Sequence, residues 1–317
     1  MALFGFRDKL ANKKDSVTGG VPKLKQGAVV MMIPQKLLEQ SRDVIDISAS
    51  DEPVQHNFII PGLESGDVGI VGAPGGTGKS FLLLEIAMSV ALGMTLIPGM
   101  TVDFVGPVRV LNFEEKRQSL KNRLIWICRY FGVDFPSDRL FVSSLSNSAL
   151  RLVDVNGNVD DEYVSFLKNQ AEGVSLLIID PLRMCHMADE NNAGAMAMLM
   201  QVLKNIGEET GAGVLVAHHS SKASILNGQG NVQQSVRGSS ALVDAARLVI
   251  TLSRPKNGES NLLELSWVKI NSHPPIEPVT LMRVAGGVLV SAKLEHSIEI
   301  ISSMKNNKKG DGRVARA

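Results

Sequence analysis

The sequence predicts an α/β fold: a mostly parallel central sheet flanked by helices, with antiparallel edge strands. Three observations carry this. A glycine-rich segment joins the apolar run Val68–Val71 to a helical stretch from Phe81 to Leu92. Further continuous apolar runs alternate with helical stretches, as buried parallel strands do. Four short strands then follow between residues 249 and 291 with no helix between them, which suits antiparallel pairing at a sheet edge.

Each element has its own local signal. Residues 1 to about 50 are polar and mixed, with a short amphipathic helix expected over Pro34–Val44. Phe58 to Leu63 leads into the first core strand through a turn at Ser65-Gly66-Asp67. The helix ending at Leu92 breaks at Gly93 and Pro98-Gly99. Val108–Phe113 alternates less than a half-exposed strand would and reads as buried and parallel. Lys116–Tyr130 is helical in composition and ends near Gly132, Leu140–Val142 is a short strand, and Asp160–Gln170 is a helix. Val174–Ile179 is an apolar run stopped by Asp180-Pro181. Ala193–Thr210 is a helix with Met196, Met200, Leu203 and Ile206 on one core-facing stripe. Gly213–Ala217 is a buried strand closed by His218-His219. Residues 222–236 lack apolar periodicity, are rich in Gly, Asn, Gln and Ser, and form a long loop of the functional or disordered kind. A helix from about Ser239 to Arg247 precedes strands over Val249–Leu252, Leu262–Ile270, Val279–Val284 and Gly287–Ser291. Turns are expected at Lys256-Asn257-Gly258 and Gly286-Gly287.

The 317 residues suffice for one large α/β domain with extensions. The expected division is an extension over 1–52, partly disordered, a core over 53–300, and a basic disordered tail over 301–317. A net charge of +1 makes no global case for nucleic acid, but the ends are basic. Arg7, Lys9, Lys13, Lys14, Lys23 and Lys25 stand against Asp8 and Asp15, and Lys305, Lys308, Lys309, Arg313 and Arg316 against Asp311. Such arms either track a phosphate backbone or simply solvate the ends. Aromatic residues make up 4%, so base stacking on aromatic platforms is not an obvious binding mode. The two cysteines, Cys128 and Cys185, have no neighbours at metal-ligand spacing and read as reduced thiols. No stretch approaches the roughly 18 apolar residues of a membrane span. The first residues lack the signature of an export signal, so no membrane partner and a cytoplasmic location are expected.

The loop Ala73-Pro74-Gly75-Gly76-Thr77-Gly78-Lys79-Ser80 carries the clearest chemistry. Its glycines let backbone N–H groups approach phosphate oxygens that side chains would obstruct. The helix N-terminus beneath adds partial positive charge. Lys79 can reach the β- and γ-phosphates, and the Ser80 hydroxyl can ligate Mg²⁺. This predicts a P-loop that binds ATP with Mg²⁺, with Ala73 standing where the motif usually has its first glycine. Asp180 ends an apolar strand, where a second carboxylate holds Mg²⁺ in P-loop NTPases; a simple cap is the plainer reading. Glu114 and Glu115 follow the next strand, and one of them can activate the attacking water. Adjacent carboxylates ending a strand point oppositely, so only one is expected to face the phosphates. His218 and His219 end the strand after Asp180, where a polar side chain can sense the γ-phosphate; a buried structural histidine is the alternative. Arg237 can serve as a finger into a neighbour's ATP, contact DNA phosphate, or pair with Asp244. Lys269 is a second basic candidate at a strand end.

Taken together, these motifs resemble the RepA-type hexameric replicative helicases of broad-host-range plasmids, within the RecA-like ATPases. The resemblance covers about residues 55 to 290. It rests on the loop at 73–80, Glu114-Glu115, Asp180-Pro-Leu-Arg183 with His186 and Glu190-Asn191, His218-His219-Ser-Ser-Lys222, Gln234-Ser-Val-Arg237-Gly-Ser-Ser, and Lys269-Ile-Asn271. It implies a RecA-like P-loop ATPase core in a six-subunit ring, with ATP at the subunit interfaces. Glu114 would be the catalytic glutamate, Asp180 the Mg²⁺-linked aspartate, His218 the γ-phosphate sensor and Arg237 the inter-subunit finger. His219 and Lys269 are second sensor or trans candidates. The loop 222–236 would touch single-stranded DNA in the central channel, through Lys222, Asn227, Gln229, Asn231, Gln233 and Gln234. The extension over 1–52 is longer than the RepA type needs and is expected to pack as an arm on the adjacent subunit. A primase, initiator or loader protein is the expected further partner.

The reading is an ATP-driven DNA helicase or translocase for replication of a plasmid, phage or other mobile element. A RecA-like recombination protein using ATP as an assembly switch shares every core motif. A small-molecule kinase lacks a recognisable lid, and a non-motor regulatory ATPase remains a further reading.

Overall fold

The computed structural model describes residues 51–53, 55–102, 104–219, 240–255 and 259–293, together with Ser41 and Ile45. The chain divides into Met1–Val54 and Gln55–Ala317, and the second unit holds every element named below. The expected helix over Pro34–Val44 and the turn at Lys256-Asn257-Gly258 lie outside the described residues. So do the head and tail charges singled out above.

The strands are β1 (Val68–Ala73), β2 (Val108–Asn112), β3 (Leu140–Ser144), β4 (Leu176–Asp180), β5 (Gly213–His219), β6 (Leu248–Ser253), β7 (Leu262–Ile270), β8 (Val279–Arg283) and β9 (Leu289–Ser291). The helices are α1 (Lys79–Leu92), α2 (Arg117–Phe131), α3 (Asp161–Ala171), α4 (Ala193–Thr210) and α5 (Ser240–Ala245). All nine strands form one sheet in the order β3-β2-β4-β5-β1-β6-β7-β8-β9. The stretch from β3 to β6 is parallel, and β7, β8 and β9 add in antiparallel fashion. The expected mostly parallel sheet with antiparallel edge strands is therefore the observed fold.

The apolar runs are continuous because both faces of the sheet are covered. On β4, Leu176 and Ile178 pack into the layer containing α1, while Leu177 and Ile179 pack against α3 and α4. Burying each such side chain contributes about 1.5–3 kcal/mol. Helix ends follow local chemistry. Asp160 caps α3 by accepting from the backbone N–H groups of Glu162 and Tyr163. Asn192 caps α4 in the same way through Ala195 N–H. Gly93, Gly132 and Gly211 end α1, α2 and α4 in the left-handed conformation that side chains resist.

One departure matters for function. The fifth strand continues through both histidines instead of stopping at Ala217. Its register sets Gly72 opposite His218 and Ala73 opposite His219. Among the described residues, no helix is long and apolar enough to cross a membrane.

Candidate nucleotide-binding site

Strand β1 delivers the chain to the loop 74–78, and α1 begins at its end. Gly76 and Gly78 have φ of 74° and 110°, backbone that side chains rarely adopt. Thr77 closes the loop on itself, its N–H and hydroxyl donating to Pro74 O at 3.2 and 2.7 Å. Gly78 is the N-cap of α1 and no side chain caps that end, nor does the first turn hold an acidic residue. Unpaired N–H groups and positive potential therefore face the cleft. The cleft has a volume of about 410 Å³ and is lined by Pro74, Gly75, Gly76, Gly78, Lys79 and Ser80 from the loop and α1. Glu114, Glu115, Arg123, His219 and Arg283 complete its polar wall.

Strand parity explains how polar groups from distant positions converge. Val108 and Val110 on β2, Leu176 and Ile178 on β4, and Leu215 and Ala217 on β5 all face the α1 layer. Two residues further on each strand stand Asn112, Asp180 and His219. Since side chains alternate along a strand, these three end residues share the face of α1.

Asp180 is 1% exposed. Its Oδ2 accepts from the Ser80 hydroxyl at 2.9 Å and from Asn112 Nδ2 at 3.1 Å. Lys79 Nζ lies 3.8 Å from Oδ1, and Oδ1 accepts no hydrogen bond. Burial pushes the Asp180 carboxyl above the usual carboxylate range, an effect opposed first by Lys79. Burial likewise pulls the Lys79 ammonium down, opposed by Asp180 and Glu114. A buried carboxylate oxygen that accepts no hydrogen bond, beside a serine hydroxyl, is a hard-oxygen pair that fits Mg²⁺. Ser80 and Asp180 are the residues that would hold it.

The expectation for the two glutamates needs correction. The strand ends at Asn112, so Glu114 and Glu115 do not alternate across it, and both line the cleft. The Asn112 side-chain oxygen accepts from the N–H groups of Glu114 at 3.1 Å and Glu115 at 2.7 Å, forming a local turn. Glu115 is then committed to Arg123, whose Nε lies 2.8 Å from its carboxylate. Glu114 Oε1 lies 3.3 Å from His219 Nε2, and its side chain keeps 46% of its surface. Glu114 is thus the glutamate left accessible in the cleft.

His218 is not brought to the cleft. His218 is 2% exposed, with the parity of Val214 and Val216, which pack in the layer away from α1. His219 faces the cleft, with Nε2 3.5 Å from Lys79 Nζ. Lys269 is not brought to the cleft. Its ammonium donates to Val243 O at 3.0 Å and Asp244 O at 2.8 Å, serving the last turn of α5. Burial lowers its pKa from the ordinary lysine value. Arg237 and the loop residues Lys222, Asn227, Gln229, Asn231, Gln233 and Gln234 lie outside the described residues.

Sequence reasoning missed three residues of the site, two lining the cleft and Asn112 buried beneath it. Arg123 stacks its guanidinium 4.6 Å from the Phe81 ring centre while pairing with Glu115. Asn112 carried a readable signal, a polar residue ending an apolar run just before two carboxylates. Arg283, at the end of β8, donates to the carbonyls of Gly76 and Thr77. Nothing in the sequence marks it, because the contact joins positions 206 residues apart.

Solved structures share this fold. A DnaB-like replicative helicase, solved with attention to its interactions with primase, aligns with a TM-score of 0.54 at 14% identity. That alignment covers 82% of this chain and 66% of the helicase. A KaiC-like protein, PH0186 from the hyperthermophilic archaeon Pyrococcus horikoshii OT3, aligns with a TM-score of 0.51 at 14% identity, over 75% and 99% of the two chains. A further solved ATPase domain aligns with a TM-score of 0.51 at 15% identity, over 72% of this chain and 85% of that one. The family model described as an AAA domain matches residues 34–224, more than half of the sequence. With its P-loop, its converging strand ends and that match, the chain belongs to the AAA-domain family of P-loop ATPases.

Proposed function

We propose that this ATPase is an ATP-driven DNA helicase or translocase that moves on single-stranded DNA during replication of a plasmid, phage or other mobile element. The observation that carries the reading is the meeting of Asn112, Asp180 and His219 on the α1 face around Lys79 and Ser80. The proposed assembly is a hexameric ring with ATP at the subunit interfaces, and a primase or a loader is the proposed further partner.

In this mechanism the loop N–H groups and Lys79 hold the β- and γ-phosphates. Mg²⁺, when bound, neutralises charge developing on the phosphate oxygens. Glu114 orients the attacking water and takes its proton. His219, within reach of both Lys79 and Glu114, registers departure of the γ-phosphate. The loop 222–236 begins three positions after His219 in the sequence and is the element proposed to respond. Lys222, Asn227, Gln229, Asn231, Gln233 and Gln234 are its proposed DNA contacts. Arg237 is the proposed finger onto a neighbour's ATP.

The test measures ATP hydrolysis with and without single-stranded DNA, beside displacement of a strand from a fork. DNA stimulation with displacement, both lost in Glu114→Gln, is the expected result. Stimulation without displacement would replace the motor by an ATP-switched, RecA-like DNA-binding protein. A Glu114→Gln protein that hydrolyses ATP normally would remove the proposed base.

A further inference from the structure

We propose that Arg283 is a positioning residue for the phosphate loop, acting within its own subunit and setting how tightly that loop holds a nucleoside polyphosphate. The inference rests on the nucleotide-binding reading of the loop.

The peptide plane supplies the argument. Within one trans peptide group the C=O and the following N–H point in opposite directions. Arg283 Nη2 donates to Thr77 O and, at 3.3 Å, to Gly76 O. Holding the Thr77 carbonyl on Arg283 fixes the direction of the Gly78 N–H at the start of α1, which points the opposite way. Without such a tie, a loop containing Gly75, Gly76 and Gly78 samples many conformations and must be ordered when a ligand binds. A guanidinium suits the task because Nη2 carries two N–H groups and can serve both neighbouring carbonyls at once. The approach is close. A Cβ at Gly78 would lie 2.6 Å from Arg283 Nη2.

Three contacts fix the hairpin that carries Arg283. A Cβ at Gly286 would lie 2.3 Å from the Trp126 ring of α2, and one at Gly287 would lie 2.5 Å from the Phe81 ring of α1. The turn at 285–287 is therefore pressed onto both helices. Leu289 N–H then donates to Glu85 Oε1 on α1 at 2.8 Å. Arg283 is held by the same helix whose N-terminus it serves. It also adds charge: Arg123, Arg283 and Lys79 line one cleft, where a polyphosphate would meet all three.

The experiment is calorimetric titration of Mg-ADP into wild type, Arg283→Gln and Arg283→Lys, with thermal melting as a folding control. Loss of a charge-assisted hydrogen-bond pair should weaken ADP binding about tenfold in Arg283→Gln. Arg283→Lys, which keeps the charge and N–H donors but not the planar guanidinium, should recover part of that loss. The KM for ATP should rise in parallel while kcat at saturation stays within about twofold, the pattern of lost ground-state binding. Mixing Arg283→Gln with Lys79→Ala subunits tests whether the action is internal. Binding should not recover, because the intact Arg283 of the Lys79→Ala subunit serves only its own loop. Unchanged ADP affinity in Arg283→Gln, beside normal binding by wild type, would overturn this proposal alone. Recovery of binding in the mixture would overturn the internal role. A wild type that binds no ADP would overturn the nucleotide reading and this inference with it.

Discussion

Asn112 and Asp180 end neighbouring parallel strands in register, and Asn112 Nδ2 donates to Asp180 Oδ2 at 3.1 Å. The same Asn112 side chain uses its oxygen to hold the N–H groups of Glu114 and Glu115. One amide therefore ties the proposed Mg²⁺ aspartate to the loop carrying the proposed base.

Replacing Asn112 by Ala removes one donor and one acceptor from a buried position. Leaving those partners unsatisfied should cost about 1–3 kcal/mol. Urea unfolding checks the stability loss. ATP hydrolysis per folded molecule should also fall, since Glu114 loses the backbone turn that aims it. Retention of both stability and turnover would show that the turn forms without Asn112.

The two histidines should separate cleanly. His219→Ala removes the group that links Lys79 and Glu114, and should lower ATP hydrolysis by up to roughly 10²-fold, as losing a positioned polar group in a catalytic site does. Its melting temperature should stay near that of wild type, because the side chain is 40% exposed. His218→Ala should reverse the pattern. A buried polar side chain is lost, so stability should fall by about 1–3 kcal/mol while turnover per folded molecule survives. Melting curves and hydrolysis rates on the same preparations decide.

Glu85 predicts a pH dependence of stability. It lies at the centre of α1, fully buried, with Oε1 accepting from Leu289 N–H and Oε2 without a hydrogen bond. Burial raises its pKa well above the ordinary glutamate value of 4.5. A raised folded pKa means that the folded state holds the proton more tightly than the unfolded chain does. Its contribution is fully present below about pH 4.5 and is lost as the pH climbs through the folded value. Glu85→Gln cannot titrate, so its advantage over wild type should grow as the pH rises. Urea unfolding of both proteins across that range measures it, and parallel curves would refute the assignment.

How much of this was legible depends on the range of the interaction. The P-loop, the end of β4 at Asp180 and the span of α4 follow from local pattern, because both faces of the parallel strands are buried and their apolar runs are uninterrupted. The choice between His218 and His219 was not local. It required β5 to continue to residue 219 and its odd-numbered positions to face α1, which tertiary packing decides. Yet the parity of Asp180 on β4 already pointed to the same face. The two glutamates were misplaced because Asn112 bends the chain with its side chain before the strand can continue. Arg283 was beyond reach, since an antiparallel edge strand returns it to a loop some two hundred positions earlier.

Helix α1 has a mechanical consequence. Twelve of its fourteen residues are buried, including apolar side chains on every side. Sliding or turning such a rod would strip contacts from the whole interior, so it behaves as a stiff anvil beneath the phosphates. In the proposed motor, any stroke driven by turnover is then expected beyond the strand tips and not within this helix. The proposed force generation would thereby be confined to one rim of the sheet.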